Sequence, residues 1–209
     1  MMNSTGFWWI LLAAGLYGAL HSLLAANRVK RAAERAWGER AYRRYYRLVF
    51  SVVGGAATLP LLALLAALPD QPIYAIPDPW RWLMFGLQGA AVLGLAAGVL
   101  QTGALSFVGL QQWLAPDAPL QAFGVEKLVV TGLYRWVRHP LYTCSLALLW
   151  MVPVMSWNWL ALSIGFTVYI LVGAYFFEEP KLIQQFGAAY VDYRRITPMI
   201  IPGLKIGPF

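Results

Sequence analysis

Two short runs hold most of the residues able to do chemistry. Residues 132–143 read GLYRWVRHPLYT, which sets Arg135, Arg138 and His139 directly before a proline that opens an apolar run. At the end of a later apolar run stand the adjacent acids Glu178 and Glu179. Paired carboxylates at the edge of hydrocarbon are costly unless a cation or an arginine meets them, and Arg135, Arg138 or a cationic ligand would supply that charge. Pro140 suits the first turn of a helix, where its missing N–H is unpaired anyway, and the residues before it are expected to offer helix-end amides to an anionic group. Thr131 and Gly132 punctuate this run as a turn. His21 falls inside the first apolar run, where a hydrogen bond between helices is the commoner use of histidine. The single cysteine, Cys144, reads as packing and excludes a disulfide framework or a multi-cysteine metal cluster. No phosphate-binding loop, nucleophile elbow or HExxH pair occurs, so hydrolase and metalloenzyme readings have no support and no metal is expected.

The elements that must position these groups are long and apolar. In 209 residues, 60% are hydrophobic and 12% charged, with a mean hydropathy of +0.58, too apolar for a chain that presents a charged surface to water. An all-α integral membrane protein is expected, with five spans at residues 7–26, 48–68, 82–103, 140–155 and 159–177. The first three reach the roughly 20 residues needed to cross about 30 Å of hydrocarbon. Only Ser156, Trp157 and Asn158 separate the last two, and Pro153 interrupts the fourth, so these read as a short helical hairpin. The first apolar run is expected to be retained, because Met1–Gly6 carries no basic residue of the kind that opens a signal peptide.

The gaps set the orientation. Residues 27–47 hold eight Lys/Arg, 104–139 three and 178–209 four, so 15 of the 16 basic residues share one side and only Arg81 lies on the other. The positive-inside rule then puts the N-terminus outside and the C-terminus in the cytoplasm. The net charge of +7 is confined to these gaps, which argues for anionic lipid headgroups as partners rather than nucleic acid. Tryptophans near span ends, such as Trp8, Trp80 and Trp157, read as interface anchors. Gly94 and Gly98 make a small-xxx-small spacing for close helix packing. Leu182, Phe186, Tyr190 and Tyr193 recur at helical spacing, so the tail is expected to start as an amphipathic helix lying on the membrane or folding over the site.

The pattern LVVTGLYRWVRHPLY, followed about 35 residues later by EEPKLIQQFGAAYVDYRRITPMIIP, resembles the isoprenylcysteine carboxyl methyltransferase family and its bacterial relatives, among them methanethiol S-methyltransferases and NnrU-like membrane proteins. The stretch from His21 to Ser51 is more loosely similar to the N-terminal part of those relatives. The resemblance implies one membrane methyltransferase domain over residues 1–209, with 1–103 as a three-helix scaffold and 104–209 as the cofactor-binding and catalytic part. It implies S-adenosylmethionine as cofactor, entering from the cytosol in a bacterial inner membrane, and an acceptor arriving from the bilayer. Carried over residue by residue, the cofactor would be held by Glu126, Lys127, Leu128, Val129, Tyr134, His139, Pro140, Leu141, Tyr142 and Glu178, with Arg138, Glu178 and Glu179 as catalytic residues. The chemistry agrees: a methionine carboxylate wants arginine, histidine or helix-end amides, and an ammonium and a sulfonium want a carboxylate or an aromatic face. Where the isoprenylcysteine enzymes carry an arginine one turn before the acid pair, this chain has Ala174, so a small thiol or another lipophilic nucleophile is expected as acceptor in place of a prenylcysteine carboxylate. Membrane sterol reductases share an RHPxY segment, which leaves an NADPH-dependent reductase and a non-enzymatic NnrU-like protein as alternatives.

Overall fold

The computed structural model describes residues 5–117 and 128–204. Glu126 and Lys127, expected at the cofactor site, lie outside the described residues. Among the described residues, four helices are long and apolar enough to cross a bilayer: α1 (Phe7–Ala25), α3 (Glu39–Ala67), α4 (Trp80–Gln101) and a continuous run Trp157–Phe186. The last is built from α8 (Trp157–Val172), a π-helical turn (Gly173–Glu178) and α9 (Glu179–Phe186). Their outer faces are strongly apolar, with Leu16, Leu93 and Leu100 at 63%, 72% and 70% exposure. Only hydrocarbon suits so much exposed leucine, so the chain is an integral membrane protein.

The fourth expected span is the one the structure corrects. α7 (Pro140–Trp150) has 11 residues, about 16 Å at 1.5 Å per residue, half the hydrocarbon thickness. Pro153 disfavours helix in the residue before it, and the chain finishes its passage in extended form. It enters β2 (Val154–Ser156), which pairs antiparallel with β1 (Pro72–Ala75) in the connection between α3 and α4. Residues 140–156 thus run from the end that bears Arg138 to the end that bears the ribbon, so the expected helical hairpin is a short helix and a strand leading into a long helix. Ser156 caps that long helix by accepting the Trp159 amide at 3.2 Å.

Packing follows the small residues. α1 runs parallel to α8, with Gly165 against Ala14 and Gly18 beneath the Tyr169 ring; a Cβ on either glycine would come within 2.8 Å of its neighbour. Phe7, Ile10, Leu61, Ala161 and Leu162 form the core where α1, α3 and α8 meet. Gly94 and Gly98 face Cys144 and Leu141 and let α7 lie directly on α4, so the close approach expected of that spacing is made to α7.

The two ends differ in charge. At the ribbon end, fully buried Asn158 donates its side-chain amide to the Pro69 carbonyl at 3.1 Å, and its backbone amide to Asp70 at 3.0 Å. Arg81, at the start of α4, pairs with Asp78 at 2.7 Å. The other basic residues described gather at the opposite end on α2 (Asn27–Trp37), the start of α3, the 3₁₀ turn and segment that lead into α7, and on α9 and the tail helix beyond it. There Arg40 meets Asp117 at 3.2 Å and Arg47 Nε donates to the Phe107 carbonyl at 2.8 Å. Burial, with the neighbouring charges of Lys181 and Arg47, pulls the Lys30 ammonium below its ordinary pKa.

Two short helices, α5 (Ala104–Val108) and α6 (Leu110–Leu114), reach α3 through Gly109, which has φ +87°. A Cβ there would stand 2.4 Å from the Leu48 amide nitrogen. Gly109→Ala combines a left-handed backbone with a backbone clash, so thermal unfolding in detergent should show a loss on the order of 1–3 kcal/mol.

Candidate functional site

The RHPLY run lies where α7, α9 and the tail converge. Thr131 and Gly132 form the expected turn, and a 3₁₀ turn (Gly132–Arg135) leads to Val137. Gly132, at φ +61°, packs so tightly on the Gln101 side chain that a Cβ would overlap it. Pro140 occupies the first turn of α7, as its missing donor predicts.

The tail forms two helices, because Gly187, at φ +58°, separates α9 from α10 (Ala188–Ile196). Tyr190 and Tyr193 are buried and Leu182 and Phe186 half-buried. The tail packs against Glu179, Tyr134 and the RHPLY run. The Arg138 and His139 amides donate to the Pro198 and Met199 carbonyls at 2.9 and 3.0 Å, and the Thr143 hydroxyl donates to the Ile200 carbonyl at 2.6 Å. This corrects the expectation for the residues before Pro140: their amides are already taken by the chain's own carbonyls and are not offered to an anion.

Glu179 is the hub. One of its oxygens accepts from Arg138 Nε at 2.8 Å and from the Tyr190 hydroxyl at 2.7 Å, and lies 2.9 Å from His139 Nε2. Its side chain is 5% exposed and that of Arg138 7%. Arg138 Nη1 donates to the carbonyls of Arg194 and Thr197, at 3.1 and 2.6 Å. The buried ion pair is therefore enclosed between α9, α10, the Thr197 carbonyl and the segment that leads into α7. Burial, then the hydrogen bond to Glu179 and its charge, push the Tyr190 phenol above its ordinary range, and burial pushes Tyr193 up to about 12. Both hydroxyls stay neutral donors at physiological pH, Tyr193 to the Tyr134 carbonyl.

Glu178 is different. Its side chain is 42% exposed, and its described hydrogen bond is from the Tyr142 hydroxyl at 2.6 Å. His139 sits between the two acids, with Nδ1 3.7 Å from Glu178 and its ring stacked on Tyr142 at 5.3 Å between centroids. Tyr134 lies close enough for the Glu178 charge, after burial, to raise its phenol's pKa. A carboxylate with spare acceptor capacity beside two tyrosines fits an ammonium or sulfonium. Anion partners are scarcer: Arg138 is buried in its pair with Glu179, while Arg135 is exposed on the 3₁₀ turn. Leu128, Val129 and Leu141 are half-buried nearby in the chain and could line an apolar slot, although the Leu141 side chain packs onto Gly98.

Of the residues expected at the site, the structure joins Arg138, His139, Tyr142, Glu178 and Glu179 through direct contacts and seats Tyr134 beside them. Tyr190, Tyr193 and the carbonyls of residues 194–200 were not among the expected site residues. The Tyr190–Tyr193 spacing on an amphipathic tail helix was the available signal. Ala174 is fully buried against Met199 and Ile200, which leaves no space for the arginine found there in the isoprenylcysteine enzymes.

A family model described as phospholipid methyltransferase matches residues 87–189. A methanethiol S-methyltransferase from Mycobacterium tuberculosis is 32% identical over 198 residues, covering 92% of this chain and 76% of that one. Methanethiol S-methyltransferase 2 of Bradyrhizobium diazoefficiens is 30% identical over 194 residues, covering 93% and 72%. A methanethiol S-methyltransferase from a Pseudomonas strain is 29% identical, covering 90% and 70%. No solved structure gives a significant match.

Proposed function

The chain belongs to the membrane methyltransferase family of the methanethiol S-methyltransferases, and on that premise we propose that it moves a methyl group from S-adenosylmethionine to a small thiol or similar lipophilic nucleophile. The observation that carries this reading is the contrast within the acid pair. Glu179 is neutralised by Arg138, whereas Glu178 keeps an open carboxylate beside Tyr142 and His139. The named activity of the relatives favours methyl transfer over the reductase and non-enzymatic alternatives.

When bound, S-adenosylmethionine supplies a methyl group on a sulfonium that is already an excellent leaving group. In-line displacement then needs positioning and a dry, shaped site more than strong acid or base catalysis. Glu178, held by the Tyr142 hydroxyl, takes the ligand's ammonium, and among the described residues the exposed Arg135 is a cation open to its carboxylate. Leu128, Val129, Tyr134, Pro140 and Leu141 complete the slot that the family resemblance implies, with Glu126 and Lys127 contributing from outside the described residues. Arg138 and Glu179 act as positioning residues: their pair locks α7 to α9, and its tyrosine and carbonyl partners hold the tail across the site and exclude water. The division into a scaffold, residues 1–103, and a catalytic part, 104–209, follows from the same reading.

Ala174 supports the choice of acceptor, because the site lacks a fixed cation where a prenylcysteine carboxylate would need one. Purified protein in detergent, given S-adenosylmethionine and methanethiol, should release dimethyl sulfide and S-adenosylhomocysteine in equal amounts. Binding without turnover of any thiol would refute the acceptor class.

The concentration of basic residues at the site end supports a cytoplasmic site in a bacterial inner membrane. In a cysteine-free background, a cysteine at Asp70 should react with an impermeant thiol reagent added to intact cells and one at Glu34 should not. The reverse labelling would invert the topology.

A further inference from the structure

One histidine lies outside the network described so far, within the hydrocarbon-facing bundle. His21 stands one turn before the end of α1, with its ring 4.7 Å from Phe50, 5.8 Å from Tyr169 and 6.1 Å from Tyr17, centroid to centroid. Phe166 closes the group at 5.4 Å from Tyr17. The Tyr169 hydroxyl is 2.6 Å from His21 Nδ1, while Nε2 has no hydrogen-bond partner among the described residues. Arg47 lies over the Phe50 ring, 5.5 Å from its centroid.

The cluster is tied to the proposed cofactor site. Tyr169 and Tyr142 pack against the same buried group of Ile170, Ala174, Met199 and Ile200, and Tyr142 in turn holds Glu178. Because α1 and α8 are parallel with Gly18 against Tyr169, His21 stands level with the start of the π turn that ends at Glu178. Aromatic walls suit a polarizable sulfur, and their position within the bundle suits an acceptor that arrives through lipid.

We propose that Tyr17, His21, Phe50, Phe166 and Tyr169 form the acceptor subsite for a small neutral thiol, and that His21 Nε2 takes the thiol proton. This rests on methyl transfer to a thiol as read above. With the ring hydrogen on Nδ1 and donated to the Tyr169 oxygen, the Nε2 lone pair is free. The S–H bond breaks as its proton moves to Nε2. The thiolate's electron pair forms the new S–CH3 bond while the sulfonium's C–S bond breaks and its electrons stay on the departing thioether sulfur. The imidazolium then returns the proton to water. The titratable and charged groups around the imidazole are Tyr17 on its own helix, Arg47 on α3 and Tyr169 on α8, and Arg47 is the cation placed to favour a thiolate.

The test uses full-length protein in detergent with methanethiol, following product and S-adenosylmethionine affinity from pH 6 to 10. His21→Gln should lower kcat/KM for the thiol roughly 100-fold at pH 7, the scale of a lost general base. The deficit should shrink as pH approaches the thiol's own pKa, because thiolate then forms without a base, and cofactor affinity should stay within about twofold of wild type. Tyr169→Phe keeps the ring on Gly18 and removes only the hydroxyl that orients His21. It should show a smaller loss of roughly tenfold with the same relief at high pH, and it decides the matter if His21→Gln does not fold. A deficit equal at every pH, or wild-type thiol kinetics in the folded variants, overturns the proposal while leaving the methyltransferase reading intact. Failure of the wild-type protein to methylate any thiol removes both.

Discussion

Glu179→Gln should be the most destabilising single substitution in the site, costing about 3–5 kcal/mol, the usual penalty for leaving one member of a buried ion pair uncompensated. The three groups that meet one Glu179 oxygen, Arg138, His139 and Tyr190, come from the segment that leads into α7 and from α10. An amide oxygen still accepts, but it no longer balances an arginine whose side chain is 7% exposed. Arg138 also holds the carbonyls of Arg194 and Thr197, so its reorganisation would loosen the whole tail. Thermal unfolding in detergent should report the loss as a markedly lower midpoint. Pairing the change with Arg138→Met should restore much of it, since an apolar pair of similar volume is often tolerated where a broken ion pair is not. A Glu179→Gln variant that melts like wild type would mean the carboxylate is not the hub of the tail.

Glu178→Gln should behave in the opposite way, leaving stability nearly unchanged and weakening cofactor binding. The side chain is partly solvated, and a glutamine can still accept the Tyr142 hydroxyl, so the fold loses little. A charge-assisted contact to an ammonium is worth on the order of 1.5–3 kcal/mol, or roughly 10- to 100-fold in affinity. Partial exposure points to the lower end of that range. Calorimetric titration of the folded variant should show the change in Kd for S-adenosylmethionine. Wild-type affinity in Glu178→Gln would remove this residue from the cofactor site.

The difference between these neighbours explains how far the sequence could be read. The motifs and apolar runs announced the membrane class, the turn at Gly132, the role of Pro140 and the meeting of RHPLY with the acid pair. Which acid turns inward was not readable, because the π turn over Gly173–Glu178 inserts a residue into the helical phase. A 3.6-residue projection therefore loses register just before the pair. The length of α7 was overestimated because hydropathy counts Met151–Met155 as apolar whether the chain is helical or extended. The tail's packing against RHPLY depends on backbone carbonyls of residues 194–200, which every residue possesses and no side-chain pattern marks. Asn158 in its buried corner and His21 beside Tyr169 are long-range pairings, 88 to 148 residues apart along the chain, and spacing alone carries no signal for them.

The central claim, that this end of the bundle holds S-adenosylmethionine, is tested most directly by calorimetric titration of the wild-type protein in detergent with S-adenosylmethionine, S-adenosylhomocysteine and NADPH in turn. Saturable one-site binding of the first two, with none of NADPH, is the predicted result. Binding of NADPH with no response to either S-adenosyl compound would contradict it.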